Sequence, residues 1–260
     1  MERQDAPWKV VRAFRGPEGS ALVHLNNVSG GVLAGDRLRL DIGVEAGASA
    51  QITTTGATRL YRHRPGSADS EQATNICVAE GGVLEYLPDA AIPYATSRHA
   101  QRTTIRLSEG AALFWWEVIA AGRLAAGERF AFDRLAIHSA IYAEERPVVR
   151  DDFVLDPAAR NPGALARMGP YSYLATLYAI RAGRPAALWR DLEAKLSDLA
   201  SQRTRQGEAV WGASALASDG IVVRGLCTSG RFVYNPLIEF WRMARRCVTG
   251  TEAVPPRKTY

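Results

Sequence analysis

Hydrophobic and polar residues alternate through much of the first 155 positions. Arg37 to Val44 reads RLRLDIGV, with Leu38, Leu40 and Ile42 on one side and Arg37, Arg39 and Asp41 on the other. Such a period of two predicts a half-buried strand. Ser49 to Thr55 is a second extended run, rich in Thr and Ile. Upstream, residues 1–9 read as frayed, and Val10 to Leu25 as two short strands around the turn Gly16-Pro17-Glu18-Gly19. Downstream, alternation resumes from Ala131 to Leu155.

A weak repeat runs through this region. Val44-Glu45-Ala46-Gly47-Ala48, Val78-Ala79-Glu80-Gly81-Gly82 and Leu107-Ser108-Glu109-Gly110-Ala111 share an apolar, acidic, glycine, small-residue pattern. After each glycine, Ala50 and Ile52, Leu84 and Tyr86, and Leu113 and Trp115 would face one way and stack on their neighbours. Repeated strand–turn–strand units predict a mainly β fold, stacked like a β-helix or built in layers. By the same alternation Glu117 points inward. A buried carboxylate needs a partner or water, so either Arg123 pairs with it or it lines a polar internal passage.

Helical spacing appears later. Tyr171, Leu174 and Tyr178 are followed by Leu188, Leu192, Leu196 and Leu199, with Ala182-Gly183-Arg184-Pro185 as a stop and restart between them. This predicts an inserted helical hairpin over 168–202. Gly207 to Leu226 returns to strand, broken at Ser218-Asp219-Gly220. Asn235-Pro236 then reads as a cap and first-turn proline. Leu237, Phe240, Trp241, Ala244 and Val248 would form the buried face of a C-terminal helix over 235–248, with the arginines opposite. Thr249 to Tyr260 has the composition of a mobile end. The expected organisation is one domain over 1–260, with its β core at about 10–155 and 207–228.

Composition narrows the function. An apolar content of 47% with 23% charged residues is ordinary for a globular protein. The net charge of +5 is scattered, with no basic stripe or reader motif for nucleic acid. No apolar run reaches the ~18 residues that span a bilayer, and the first ten residues carry no secretory h-region. Cys77, Cys227 and Cys247 are odd in number and far apart, which fits a reducing cytoplasm better than a disulfide framework.

The glycines of Gly30-Gly31-Val32-Leu33-Ala34-Gly35-Asp36 do not make a phosphate loop. A Walker loop needs a lysine and a helix behind it, whereas here an acid and a strand pattern follow. His24, His63, His99 and His138 are isolated, and neither HExxH nor GxSxG occurs. Glu144-Glu145 and Asp151-Asp152 read as solvated strand ends. No catalytic residue and no tight metal site is expected.

Several motifs in one order nevertheless resemble a known family. They are Ser29-Gly30-Gly31-Val32-Leu33-Ala34-Gly35-Asp36-Arg37-Leu38, Thr53-Thr54 with Gly56-Ala57-Thr58-Arg59-Leu60-Tyr61-Arg62, and Leu84-Glu85-Tyr86-Leu87-Pro88. Trp116-Glu117, Gly122-Arg123 and Gly127-Glu128-Arg129-Phe130 continue the series. Together they resemble the urease accessory proteins of the UreD (UreH) family, most clearly over residues 10–155. Against that family the chain is expected to begin late.

The resemblance implies a non-enzymatic cytoplasmic scaffold that delivers nickel to apo-urease. It implies UreF, the GTPase UreG and the urease apoprotein as partners, with nickel in transit through an internal passage and no tightly bound cofactor. The positions it carries over as passage residues are Asp36, Thr58 and Asp151, the last standing where the family has a glutamate. Each also has a structural reading: Asp36 as a turn cap, Thr58 in a β ladder and Asp151 paired with Arg150. For the UreF surface, interfaces favour aromatic and arginine anchors, which singles out Trp189, Trp241 and Arg242. Two other classes stay open from the residues alone. One is a β-solenoid binding module unrelated to urease; the other is a small hydrolase whose acids converge only in the fold.

Overall fold

The computed structural model describes residues 3–16 and 19–256. Pro17 and Glu18 of the expected turn, Met1 and Glu2 of the expected frayed start, and residues 257–260 of the expected tail lie outside the described residues. The chain opens with β1 (Trp8–Lys9), β2 (Ala13–Arg15), β3 (Ala21–Asn27), β4 (Arg37–Val44) and β5 (Ser49–Thr54). It continues through β6 (Thr58–Leu60), β7 (Ser70–Val78), β8 (Val83–Leu87), β9 (Ala91–Pro93), β10 (Arg98–Leu107) and β11 (Ala112–Ala120). Next come β12 (Arg134–Ala143) and β13 (Arg146–Leu155), a hairpin whose turn residues Glu144 and Glu145 both take positive φ, as a two-residue turn matching the strand twist requires. The last elements are β14 (Tyr173–Arg181), α1 (Ala186–Arg203), β15 (Ala209–Ala215), β16 (Gly220–Cys227) and α2 (Arg231–Thr249).

Among the described residues the strands form two sheets. The smaller runs β13-β12-β10-β7-β4, parallel except at the β12–β13 hairpin. The larger runs β1-β3-β5-β8-β11-β14-β16-β15, parallel from β3 to β11 and antiparallel from β11 onward. The chain crosses repeatedly from the small sheet to the large one: β4 to β5, β7 to β8 and β10 to β11. The crossings are the repeat seen in the sequence. Gly47 N donates to Glu80 O at 2.9 Å and Gly81 N to Glu109 O at 3.0 Å, so one turn stacks on the next. Ala50 stands opposite Leu84 and Leu84 opposite Leu113, while Ile52, Tyr86 and Trp115 form the next row.

Three apolar clusters follow from this layering. Ile76, Ile105 and Ile141 of the small sheet meet Ile52, Leu84, Leu113 and Trp115 of the large one. At the other end of the same interior, Leu38, Leu135 and Ile137 meet Leu60 and Ile119. On its other face, the large sheet carries Phe114, Trp116 and Leu177 against Trp189, Leu192 and Leu196 of α1 and Phe240, Trp241 and Ala244 of α2.

The fold is thus mostly β with two helices, and the expected helical hairpin is corrected. Its second half is α1, but its first half is strand β14, paired with β11 and β16. This strand is covered on both faces, with Tyr178 and Ile180 toward the inter-sheet core and Ala175, Leu177 and Ala179 toward the helices. A strand buried on both faces loses its alternation and imitates a helical stripe.

Helix α2 also begins earlier than expected, at Arg231, so Pro236 lies inside it and Asn235 is not its cap. Proline has no N–H for the carbonyl four residues back. That carbonyl, Phe232 O, instead accepts from the Cys227 thiol at 3.3 Å. Nor do all the arginines lie opposite the apolar stripe. Arg245 is buried, and its Nε donates to Glu85 Oε1 at 2.6 Å.

Candidate functional site

The inner face of the small sheet is not uniformly apolar. Along β7 the inward positions are Gln72, Thr74, Ile76 and Val78; along β10 they are Gln101, Thr103, Ile105 and Leu107. Register aligns Thr74, Thr103, Ser139 and Asp151 as one polar row across β7, β10, β12 and β13. Facing it from the large sheet is a second row, Glu117, Thr176 and Arg224 across β11, β14 and β16. A belt of polar side chains therefore crosses the interior between two apolar clusters.

Among the described residues, two cavities lie in this belt. One of about 50 Å³ is lined by Thr54, Thr58, Gln72, Thr74, Asp89 and Gln101, among others. The second, of about 40 Å³, is lined by Glu117, Ser139, Asp151, Thr176 and Arg224 among others. Glu117, Ile119 and Ile137 border both, so Glu117 stands at their junction. Each is large enough for water, which needs ~10–15 Å³ of such space.

Glu117 is deep in the fold, and what surface it retains faces these cavities. Its Oε1 accepts from Gln101 Nε2 at 2.6 Å. Burial pushes its pKa from 4.5 up to about 8; the Gln101 bond opposes the rise and the Asp151 charge adds to it. Arg123 is not its partner. That guanidinium turns to Glu128, which also accepts from Arg62 and from Ala95 N. The interior acid thus rests on an amide and cavity space rather than on a cation.

Asp151 Oδ2 accepts from Tyr178 Oη at 2.7 Å and from Arg224 Nη2 at 2.6 Å. The partner expected from sequence, Arg150, instead turns to Asp152, which His138 also meets. Burial, followed by the Asp151 bond, raises the Tyr178 phenol, so it stays a donor. Near the other end, Thr54 Oγ1 donates to Asp89 Oδ2 at 3.0 Å.

The carried-over positions therefore separate. Thr58 lines the larger cavity and Asp151 the smaller. Asp36 lines neither; its Oδ2 accepts from Leu33 N at 2.8 Å and closes the glycine turn. This turn demands glycine at Gly35, with φ of 83°, and at Gly31, where a Cβ would come within 2.5 Å of Arg59 O.

The expected aromatic anchors are corrected as well. Trp189 is 3% exposed and Trp241 0% exposed, both inside the helix–sheet core, so neither presents a surface to a partner. Trp241 Nε1 donates to Glu85 Oε1 at 3.2 Å, within the buried Glu85–Arg245 network that Gln51 completes. Burial raises the Glu85 pKa while Arg245 pulls it back. Arg242 alone of the three is exposed.

The belt residues that the sequence reading passed over, Gln72, Thr74, Gln101, Thr103, Ser139, Thr176 and Arg224, carried one signal. Apart from Thr176 and Arg224, they are polar residues at inward positions of alternating strands. Chemically the belt offers oxygen donors. Among the described residues no three of His, Cys, Asp and Glu converge as metal ligands, and no helix is long and apolar enough to cross a membrane.

A family model described as UreD urease accessory protein matches residues 1–260. A protein named urease accessory protein UreD from Herpetosiphon aurantiacus is 43% identical over 254 residues, covering 98% of this chain and 88% of the relative. Proteins of the same name from Pseudomonas fluorescens and Deinococcus radiodurans are 32% and 33% identical, covering 88% and 87% of this chain and 76% and 77% of their own lengths.

Proposed function

Because the chain belongs to the UreD family of urease accessory proteins, we propose that it acts without catalysis of its own, as a cytoplasmic scaffold and conduit in the maturation of urease. In this reading it binds UreF, which brings the GTPase UreG, and hands nickel on to the urease apoprotein. Nickel is the cargo and no resident cofactor is involved. The observation that carries the conduit is the polar belt, with its two cavities meeting at Glu117.

The donor chemistry favours transit over storage. Carboxylates, hydroxyls and amide oxygens bind a borderline divalent cation more weakly than thiolate or clustered imidazole would. A site that must release its ion gains from that weakness. Arg242 on the exposed side of α2 is the surviving candidate for the UreF surface.

Filling the passage tests the proposal. Ser139→Leu and Thr103→Leu place bulk into the belt from the small sheet. Co-expressed with urease and the other accessory proteins, either variant should lower the nickel content of the urease produced. UreF should still co-purify with both. Full nickel loading with both variants folded and bound to UreF would refute the conduit, leaving the scaffold role to be judged by the UreF pull-down.

A further inference from the structure

The smaller cavity holds a fixed positive charge, which is unexpected in a passage for a cation. We propose that Arg224 is a tethered cation that masks a divalent-cation site of oxygen donors, formed by Glu117, Asp151 and Ser139, and that it swings aside when the ion enters. This rests on the conduit reading and deepens it.

Three observations converge. First, Ser139 is 4% exposed and lines the cavity, and its buried hydroxyl has no hydrogen-bond partner. Buried polar atoms are nearly always paired, so an unpaired hydroxyl aimed into a polar cavity points to a ligand. Its register partner across β12 and β13 is Asp151.

Second, the carboxylates are only half used. Gln101 donates to Glu117 Oε1, and both donors to Asp151 fall on Oδ2. Asp151 Oδ1 therefore remains as an acceptor, and Glu117 Oε2, which carries the proton that burial holds there, becomes one when an arriving cation displaces that proton. Two carboxylates and a hydroxyl are hard oxygen donors, and a volume of about 40 Å³ leaves room for the waters that a small divalent ion keeps.

Third, Arg224 is placed to move. Its Nη2 sits 2.6 Å from Asp151 Oδ2, yet 53% of its side chain is exposed. Its register partner on the edge strand β15 is Gly212, where an added Cβ would meet nothing within 4 Å. No side chain at that position blocks a swing toward solvent. While in place, the guanidinium offsets the charge of Asp151; an arriving divalent ion takes over that role and releases it.

Untagged wild-type protein and its variants are titrated with Ni²⁺ by calorimetry, with thermal melting to confirm folding. Arg224→Gln removes the charge at similar length, Arg224→Met is a second neutral variant in case the first fails to fold, and Arg224→Lys keeps a tethered cation. The neutral variants should bind one ion at least tenfold more tightly than wild type, and Arg224→Lys should stay near wild type. Adding Asp151→Asn or Ser139→Ala to the neutral variant should erase the gain. No tightening in the folded neutral variants, or a gain that survives Asp151→Asn, overturns the proposal. Binding is read on the isolated chain, so that failure is distinct from failure of the conduit. The masking role would fall while Ser139→Leu and Thr103→Leu still lowered urease nickel.

Discussion

Glu117→Gln should stabilise the protein, and by more as pH rises. Glutamine keeps the shape of the side chain and leaves an oxygen to accept from Gln101, but removes the ionisation. Below pH 4.5 Glu117 is protonated in both folded and unfolded chains. Between 4.5 and about 8 the unfolded chain releases the proton while the folded one holds it, so wild-type stability falls across this window, and above it the loss is complete. At about 1.4 kcal/mol per pKa unit, the stability gap between variant and wild type would be ~2 kcal/mol near pH 6 and ~5 kcal/mol near pH 9. Water admitted to the adjoining cavities lowers these figures, so the gap should widen by about 1.5–3 kcal/mol between the two pH values. Gln101 donates to this carboxylate, Tyr86 lies beside it and Asp151 acts on it across the cavity. The cation on this cavity, Arg224, is taken up by Asp151 Oδ2 at 2.6 Å, and neither Asp151 nor Tyr86 carries a positive charge that would hold the acid ionised. Urea unfolding of both proteins at the two pH values measures the gap. A gap of the same size at both would refute the assignment of Glu117 as an acid kept neutral by burial.

Other expectations follow from the same contacts. Asp36→Ala should lose about 0.5–1.5 kcal/mol by removing the bond from Leu33 N. Asp36→Asn should be nearly silent in stability and, since the side chain lies outside both cavities, in the nickel content of urease. Arg245→Leu leaves the buried Glu85 without its cation and should cost about 3–5 kcal/mol in urea unfolding. Glu85→Gln added to it should recover at least half of that loss. Trp241→Ala should cost about 3–5 kcal/mol through the core it fills, whereas Arg242→Ala should leave the unfolding midpoint unchanged and weaken UreF co-purification.

The stacked turns were legible because each strand–turn–strand unit repeats one local pattern, and the register places Ala50, Leu84 and Leu113 where the repeat puts them. β14 was hidden because burial on both faces erases the period of two. Trp189 and Trp241 looked like anchors because an amphipathic helix does not reveal whether its aromatic stripe meets its own sheet or another protein. Arg245 occupies the same stripe with Glu85, 160 residues earlier, beneath it, and no local pattern encodes that pairing. Of the belt, Glu117 and Asp151 stood out by charge. Thr74, Thr103 and Ser139 did not, since a single polar residue in a strand reads as surface until neighbouring strands are aligned beside it.

The position of α2 in the chain bears on how the molecule is made. Among the described residues every strand precedes this helix, yet the outer face of the large sheet depends on its Phe240, Trp241, Ala244 and Val248, alongside α1, for cover. During synthesis the sheet would therefore spend an interval with the share of that apolar face that α2 covers bare, and with the Glu85 carboxylate lacking its cation. Proteins caught with such surface exposed tend to aggregate. Ribosomal pausing within the codons for α2, or truncation ahead of it, would thus divert the chain into chaperone-bound or insoluble material even though the sixteen strands among the described residues had already been synthesised.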